Sequence, residues 1–207
     1  TGNTYTITAS EAASSSATGG GSVSAAYQIN TGPSVAEALV GWGAGGWSLG
    51  TWSVGVTSTD ALRLWTQSNF GEDLIFAARG GNLFFWDATD ALTTRGVLLS
   101  SESGASNVPV KVNTVLVSDN RFVFCFGTNV LGSTDLDPLL LRWSDQENAV
   151  NWTPSSTNQA GDLRLSKGSE IITAVQGRQE ILVWTDSALY ALQYVGAPAV
   201  WSSQTVG

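Results

Sequence analysis

The stretch Glu170-Ile171-Ile172-Thr173-Ala174-Val175, Gln176-Gly177-Arg178, Glu180-Ile181-Leu182-Val183-Trp184, Thr185-Asp186-Ser187, Ala188-Leu189-Tyr190-Ala191-Leu192-Gln193-Tyr194-Val195 reads as short strands joined by polar turns. Branched and aromatic residues fill the runs, and Gly177, Asp186 and Ser187 supply turn chemistry between them. The texture recurs upstream. Thr114-Val115-Leu116-Val117 leads through Ser118-Asp119-Asn120 into residues 121–126, and then to Leu139-Leu140-Leu141-Arg142-Trp143-Ser144-Asp145. Earlier still, Glu72-Asp73-Leu74-Ile75-Phe76-Ala77-Ala78 turns at Arg79-Gly80-Gly81-Asn82 into Leu83-Phe84-Phe85-Trp86-Asp87. The matching Trp86 and Trp143 lie 57 residues apart.

Short strands in units of about 40–50 residues are the pattern of β-propeller blades. Inner strands covered on both faces account for the continuous apolar run Phe122-Val123-Phe124-Cys125-Phe126, where strict alternation would mark a half-buried strand. The predicted fold class is all-β. Residues 57–207 form about three propeller-like blades of short antiparallel strands, preceded over residues 1–56 by a β/loop segment rich in Gly and Trp. Three blades do not close a ring, which takes about four or more. With no Met in the chain and structured-looking sequence over residues 201–207, the expectation is a fragment of a longer chain, with processing at Thr1 the alternative.

Within the N-terminal segment, Thr4-Tyr5-Thr6-Ile7-Thr8 alternates as a strand does, and residues 22–29 supply a partner across the loop at Gly19-Gly20-Gly21. Residues 34–40 allow a turn or two of helix. Trp42, Trp47 and Trp52 then recur every five residues among dense glycine, a spacing that fits neither strand nor helix. Such a turn-rich loop pins its indoles against a surface, each covering about 150–250 Å². Two surfaces are open to them: a neighbouring subunit, or the rest of this chain.

Only 13% of the residues are charged, against about 25% in an average domain, yet no apolar run approaches the ~20 residues of a spanning helix. The start of the chain is polar and lacks a basic signal-peptide pattern. Net charge is −8, which argues against a surface that grips nucleic acid and leaves open one that nucleic acid slides past, since like charge repels phosphate. The single Cys125 excludes an internal disulfide framework and reads as a small buried hydrophobe; with no His, a catalytic thiol lacks its commonest base.

The segment Arg142-Trp143-Ser144-Asp145-Gln146-Glu147-Asn148-Ala149-Val150-Asn151-Trp152-Thr153 loosely resembles the Asp-box turn of sialidase-type propellers. In it Ser144, Asp145 and Trp152 are expected to build a structural turn, the carboxylate capping amides while the indole packs. Asp145 and Glu147 are the acidic pair a glycosidase reading would use, and their place in a turn favours the structural reading. Ser133-Thr134-Asp135-Leu136-Asp137-Pro138 invites comparison with a calcium loop but lacks the EF-hand glycine, and reads as a turn before a strand at Leu139. Asn151-Trp152-Thr153 matches the glycosylation triplet. The glycine-rich stretches have no strand–Gly–helix context. No zinc spacing, triad or haem motif is present, so no catalytic, cofactor-binding or metal-ligating residue is assigned.

Several strings resemble tail structural proteins of short-tailed bacteriophages. They are Leu140-Leu141-Arg142-Trp143-Ser144-Asp145-Gln146-Glu147-Asn148, Asn151-Trp152-Thr153-Pro154, Thr157-Asn158-Gln159-Ala160-Gly161, Gly168-Ser169-Glu170-Ile171, Arg178-Gln179-Glu180-Ile181-Leu182-Val183-Trp184-Thr185-Asp186 and Leu192-Gln193-Tyr194-Val195-Gly196. Leu62-Arg63-Leu64-Trp65, Asn69-Phe70-Gly71-Glu72-Asp73-Leu74, Trp86-Asp87-Ala88 and the Trp/Gly segment fit the same pattern. The resemblance covers most of residues 20–200. It implies a tail nozzle or hub, similar to tail tubular protein B and to packaged-DNA stabilisation proteins: a β-propeller-containing virion structural protein, much longer than this chain. It further implies a homohexamer below portal and adaptor, beside tail fibres, that retains DNA and conducts it out during ejection without sequence-specific binding. The implied role is not enzymatic and needs no cofactor. A receptor- or carbohydrate-binding tail module using Trp42, Trp47 and Trp52 is the alternative.

Overall fold

Alternating branched and aromatic residues between short turns leave the chain little choice but strands, and strands are what form. The computed structural model describes residues 64–206. The strands are β1 (Trp65–Phe70), β2 (Asp73–Ala78), β3 (Leu83–Trp86), β4 (Val97–Leu98), β5 (Val112–Val117), β6 (Val123–Asn129), β7 (Leu136–Trp143), β8 (Gly161–Arg164), β9 (Ile171–Gln176), β10 (Glu180–Thr185), β11 (Leu189–Gly196) and β12 (Val200–Thr205). A single 3-10 turn spans Leu99–Ser101, and no α-helix occurs among the described residues. The all-β expectation therefore holds for this part of the chain. The N-terminal strands, the helical turn, the Trp42/Trp47/Trp52 segment and the boundary between residues 56 and 57 lie outside the described residues.

The strands make three four-stranded antiparallel sheets, each of four successive strands paired in chain order: β1–β4, β5–β8 and β9–β12. The second sheet is covered on both faces, and β6 shows why its sequence does not alternate. Val123 and Cys125 enter a core shared with Ile75, Ala77 and Leu83 of the first sheet. Phe124 and Phe126 enter a second core with Ile181, Val183 and Leu192 of the third. Both side-chain sets are buried, so every residue of β6 is buried, and the strand runs apolar from Val123 to Phe126 before it ends in Gly127 and the buried polar Thr128 and Asn129. Trp201 of β12 meets Phe124 edge to face at a centroid distance of 4.9 Å, a favoured aromatic geometry.

Side chains also tie the sheets together. Thr66 and Ser68 of β1 accept hydrogen bonds from the Val115 and Val117 amides of β5 at 3.2 and 3.0 Å. Arg121, in the β5–β6 turn, lies 4.5 Å over the Phe70 ring of β1 and pairs with Glu147 at 2.9 Å. At the neighbouring turn, Gln176 donates to Asp119 at 3.4 Å.

The turn expected at residues 133–138 is shorter than the sequence suggests, because β7 already begins at Leu136. Pro138 is tolerated inside this strand because the register there shifts. Phe126 faces Leu141 and Thr128 faces Asp137, so Pro138, Leu139 and Leu140 oppose Gly127 alone, which adopts φ 59°. At such a bulge a proline costs no ladder bond.

Candidate functional site

The loop following β7 is the most elaborately bonded turn of the described chain. Ser144 is fully buried; its hydroxyl accepts from the Val123 amide at 3.0 Å and donates to the Asp145 carbonyl at 2.9 Å. One carboxylate oxygen of Asp145 accepts from the amides of Gln146 (2.9 Å) and Gln159 (2.8 Å), so the side chain staples the start of the loop to its return. Glu147 takes the left-handed conformation at φ 58°. Asn148 then accepts from the Val150 and Asn151 amides. Trp152 is 1% exposed, packs into the core of the first and second sheets, and donates its indole N–H to Ala149 at 2.7 Å. Ser144, Asp145 and Trp152 are thus brought together in one loop, where all three are engaged in holding it.

The acidic pair does not form a catalytic constellation. Asp145 binds backbone amides, whereas Glu147 is exposed and pairs with Arg121 across the loop. The glycosylation triplet is engaged too. Asn151 accepts from Ser106 at 3.0 Å, Thr153 accepts from Asn107 at 2.8 Å, and the Trp152 between them is buried. In the segment read against a calcium loop, the Asp137 oxygens accept from the Leu139 amide (3.0 Å) and from Arg164 (2.6 Å). Burial pushes the Asp137 carboxyl up, but these hydrogen bonds and the Arg164 charge outweigh it and hold the group below its ordinary value. Among the described residues no group of three or more His, Cys, Asp and Glu is placed to hold a metal ion.

Cys125 is fully buried, and that burial drives its thiol far above the ordinary range, against the opposing pull of the Arg142 charge. It is an inert hydrophobe in this setting. The residue that sequence reasoning passed over is Arg142, which faces Cys125 across the ladder and is 2% exposed. Its guanidinium donates to the carbonyls of Asn107 (2.7 Å), Asn129 (3.4 Å) and Trp152 (3.4 Å). Desolvation pulls its pKa below the ordinary arginine value. The signal was present: a lone Arg between Leu141 and Trp143 interrupts an apolar run. Arg142 is the hub that fixes the Asp145 loop to β6 and to the segment before β5.

No protein-family model matches the chain, and no curated protein matches it. No helix among the described residues is long and apolar enough to cross a membrane.

Proposed function

We propose that this chain is a non-catalytic structural part of a short-tailed phage tail, a nozzle or hub element that assembles into a conduit retaining and releasing DNA. The observation that carries this reading is the resemblance over residues 139–196, whose strings fall on β7 through β11 and on the Asp145 loop. Three consecutive four-stranded meanders stacked face to face support reading each sheet as a propeller blade. The turn that most resembled a glycosidase motif has its acidic groups committed to amides and to Arg121, which favours a scaffold role. The excess of acidic over basic residues, 17 against 9, suits a wall that phosphate backbones pass without sticking.

Electron-microscopy imaging of the particle that contains this chain tests the reading. The expected result is a sixfold ring with an axial channel at the tail. A monomer or a peripheral trimer sinks it and favours the receptor-binding alternative.

A further inference from the structure

The connection from β3 to β4 does not leave the sheet it joins. Asp87 opens it with a side-chain turn, accepting from the Thr89 amide at 2.8 Å and from the Thr89 hydroxyl at 2.6 Å. A second turn follows, in which the Thr94 amide donates to the Ala91 carbonyl at 2.7 Å. The chain then returns across its own sheet. The Trp86 indole donates to the Thr94 carbonyl at 3.0 Å, and the Ala88 amide donates to Asp73 of β2 at 3.1 Å. Gly96 comes so close that a Cβ there would sit 2.7 Å from the Phe76 ring. A residue without a side chain is what lets the backbone come down on that ring.

The surface under this connection is aromatic. Register sets Phe76 beside Phe84 and Phe84 beside Leu98, one row across β2, β3 and β4 on the face turned away from the core of the first and second sheets. Phe76 and Phe84 stack at 5.4 Å and are each half-buried. The cover itself is loosely fixed. Every residue over 89–95 is exposed, Leu92 as much as 92%, and none over 88–98 is buried. β4 adds a ladder of two residues, both exposed. The chain is pinned again at Leu99, which is fully buried in the core. A segment with no buried side chain and a two-residue ladder opens at low cost. β2 and β3 beneath it carry Ile75, Ala77 and Leu83 into the core and open only with that core.

We propose that residues 87–98 form a strap that lifts from the first sheet while the sheet stays folded, and that in lifting it uncovers the Phe76–Phe84 stack. Trp86, held in β3, and Leu99, held in the core, are the fixed ends about which it moves. The Trp86–Thr94 hydrogen bond is its latch. Gly96 lets it close by supplying room, since its backbone is not in the left-handed region that other glycines of the chain adopt. Closed, the strap shields an aromatic pair from water, which opposes opening; open, it presents that pair as an apolar surface. The strap is a conformational device of the fold itself and does not depend on the tail reading.

Native-state hydrogen exchange on the 207-residue chain, followed by NMR through sub-denaturing urea, tests the strap. The amides of residues 88–98 are expected to exchange at rates that urea leaves unchanged, on the order of a hundredfold faster than those of Ile75 and Ala77, whose exchange rises with urea. One urea slope common to both sets overturns the proposal, because the connection then opens only with its sheet. Gly96→Val tests what lies beneath, since its side chain would meet the Phe76 ring. The strap is then expected to stay lifted, with anilinonaphthalene sulfonate fluorescence roughly threefold above that of the unaltered chain and an unchanged far-ultraviolet circular dichroism spectrum. Faster exchange over residues 88–98 without a rise in dye fluorescence also overturns the proposal, because nothing apolar has been uncovered. Should Gly96→Val misfold, Trp86→Phe removes the latch donor alone, and the same exchange and dye readings decide.

Discussion

Arg142 carries a charge into the interior with no buried carboxylate beside it and three main-chain carbonyls around it. The arrangement works because the guanidinium presents five donors in a planar fork and so satisfies several acceptors at once. Replacing it removes more than a charge. Arg142→Leu takes the donor from the buried Asn129 and Trp152 carbonyls as well as from the part-buried Asn107 carbonyl, and unmet buried acceptors cost about 1–3 kcal/mol each. The expected destabilisation is about 3 kcal/mol, read from the urea midpoint of the unfolding curve. A loss near zero would show that water reaches those carbonyls and that Arg142 is not the hub of this loop. Steric room is equally specific beside it. A Cβ on Gly161 would sit 2.6 Å from the Trp143 ring, so the indole that donates to Gln159 depends on a glycine opposite it in β8.

At the scale of the element, the edge strands distinguish this chain from a simple stack. β5 is the outermost strand of its sheet, and an edge strand exposes amides that must find partners. Thr66 and Ser68 of β1 supply them by side chain, accepting from Val115 and Val117. The two hydroxyls sit at alternate positions, as the period of a strand requires. Ser68→Ala is therefore expected to cost about 1 kcal/mol, the net value of one hydrogen bond, and to raise amide exchange at Val117 more than at Val115. Thr66→Val should show the reverse pattern at Val115. Equal exchange at both amides in either variant would mean that the sheets separate as a unit and the hydroxyls add nothing local. These edges also explain which strands the sequence hid. The inner strands β6, β7 and β10 were legible as apolar runs, whereas β1, β4, β8 and β12 were not read as strands. All four of these are edge strands, three of them largely polar and β4 only two residues long, so their ladders are set by the neighbour they pair with.

For the whole molecule, charge sets the response to acid. The Asp137 carboxyl lies below its ordinary value because the bonds from Arg164 and the Leu139 amide overcome the upward push of burial. Asp186 is lowered by the Ser169 hydroxyl and amide, and Asp87 by the Thr89 hydroxyl and amide. A carboxyl whose folded pKa lies below its unfolded value of about 3.9 contributes stability above that value and loses it as pH falls through the folded pKa. Unfolding free energy is thus expected to stay level near neutrality, where the absence of His removes the usual titrating side chain, and to decline below about pH 4. Asp137→Asn should flatten part of that acid decline while lowering stability at neutral pH. An unchanged acid limb in this variant would show that the Arg164 pair does not feel the fold. The chain alone carried the strand-and-turn alternation, the burial of Cys125 and the closing loop at Ser144, Asp145 and Trp152, because each rests on side-chain chemistry within a few residues. Which face of β6 meets which sheet, why Pro138 fits inside β7 and where Arg142 finds its acceptors were decided only in three dimensions. Those outcomes depend on surfaces brought together from segments far apart in the chain, and no local pattern encodes the partner that will cover a face.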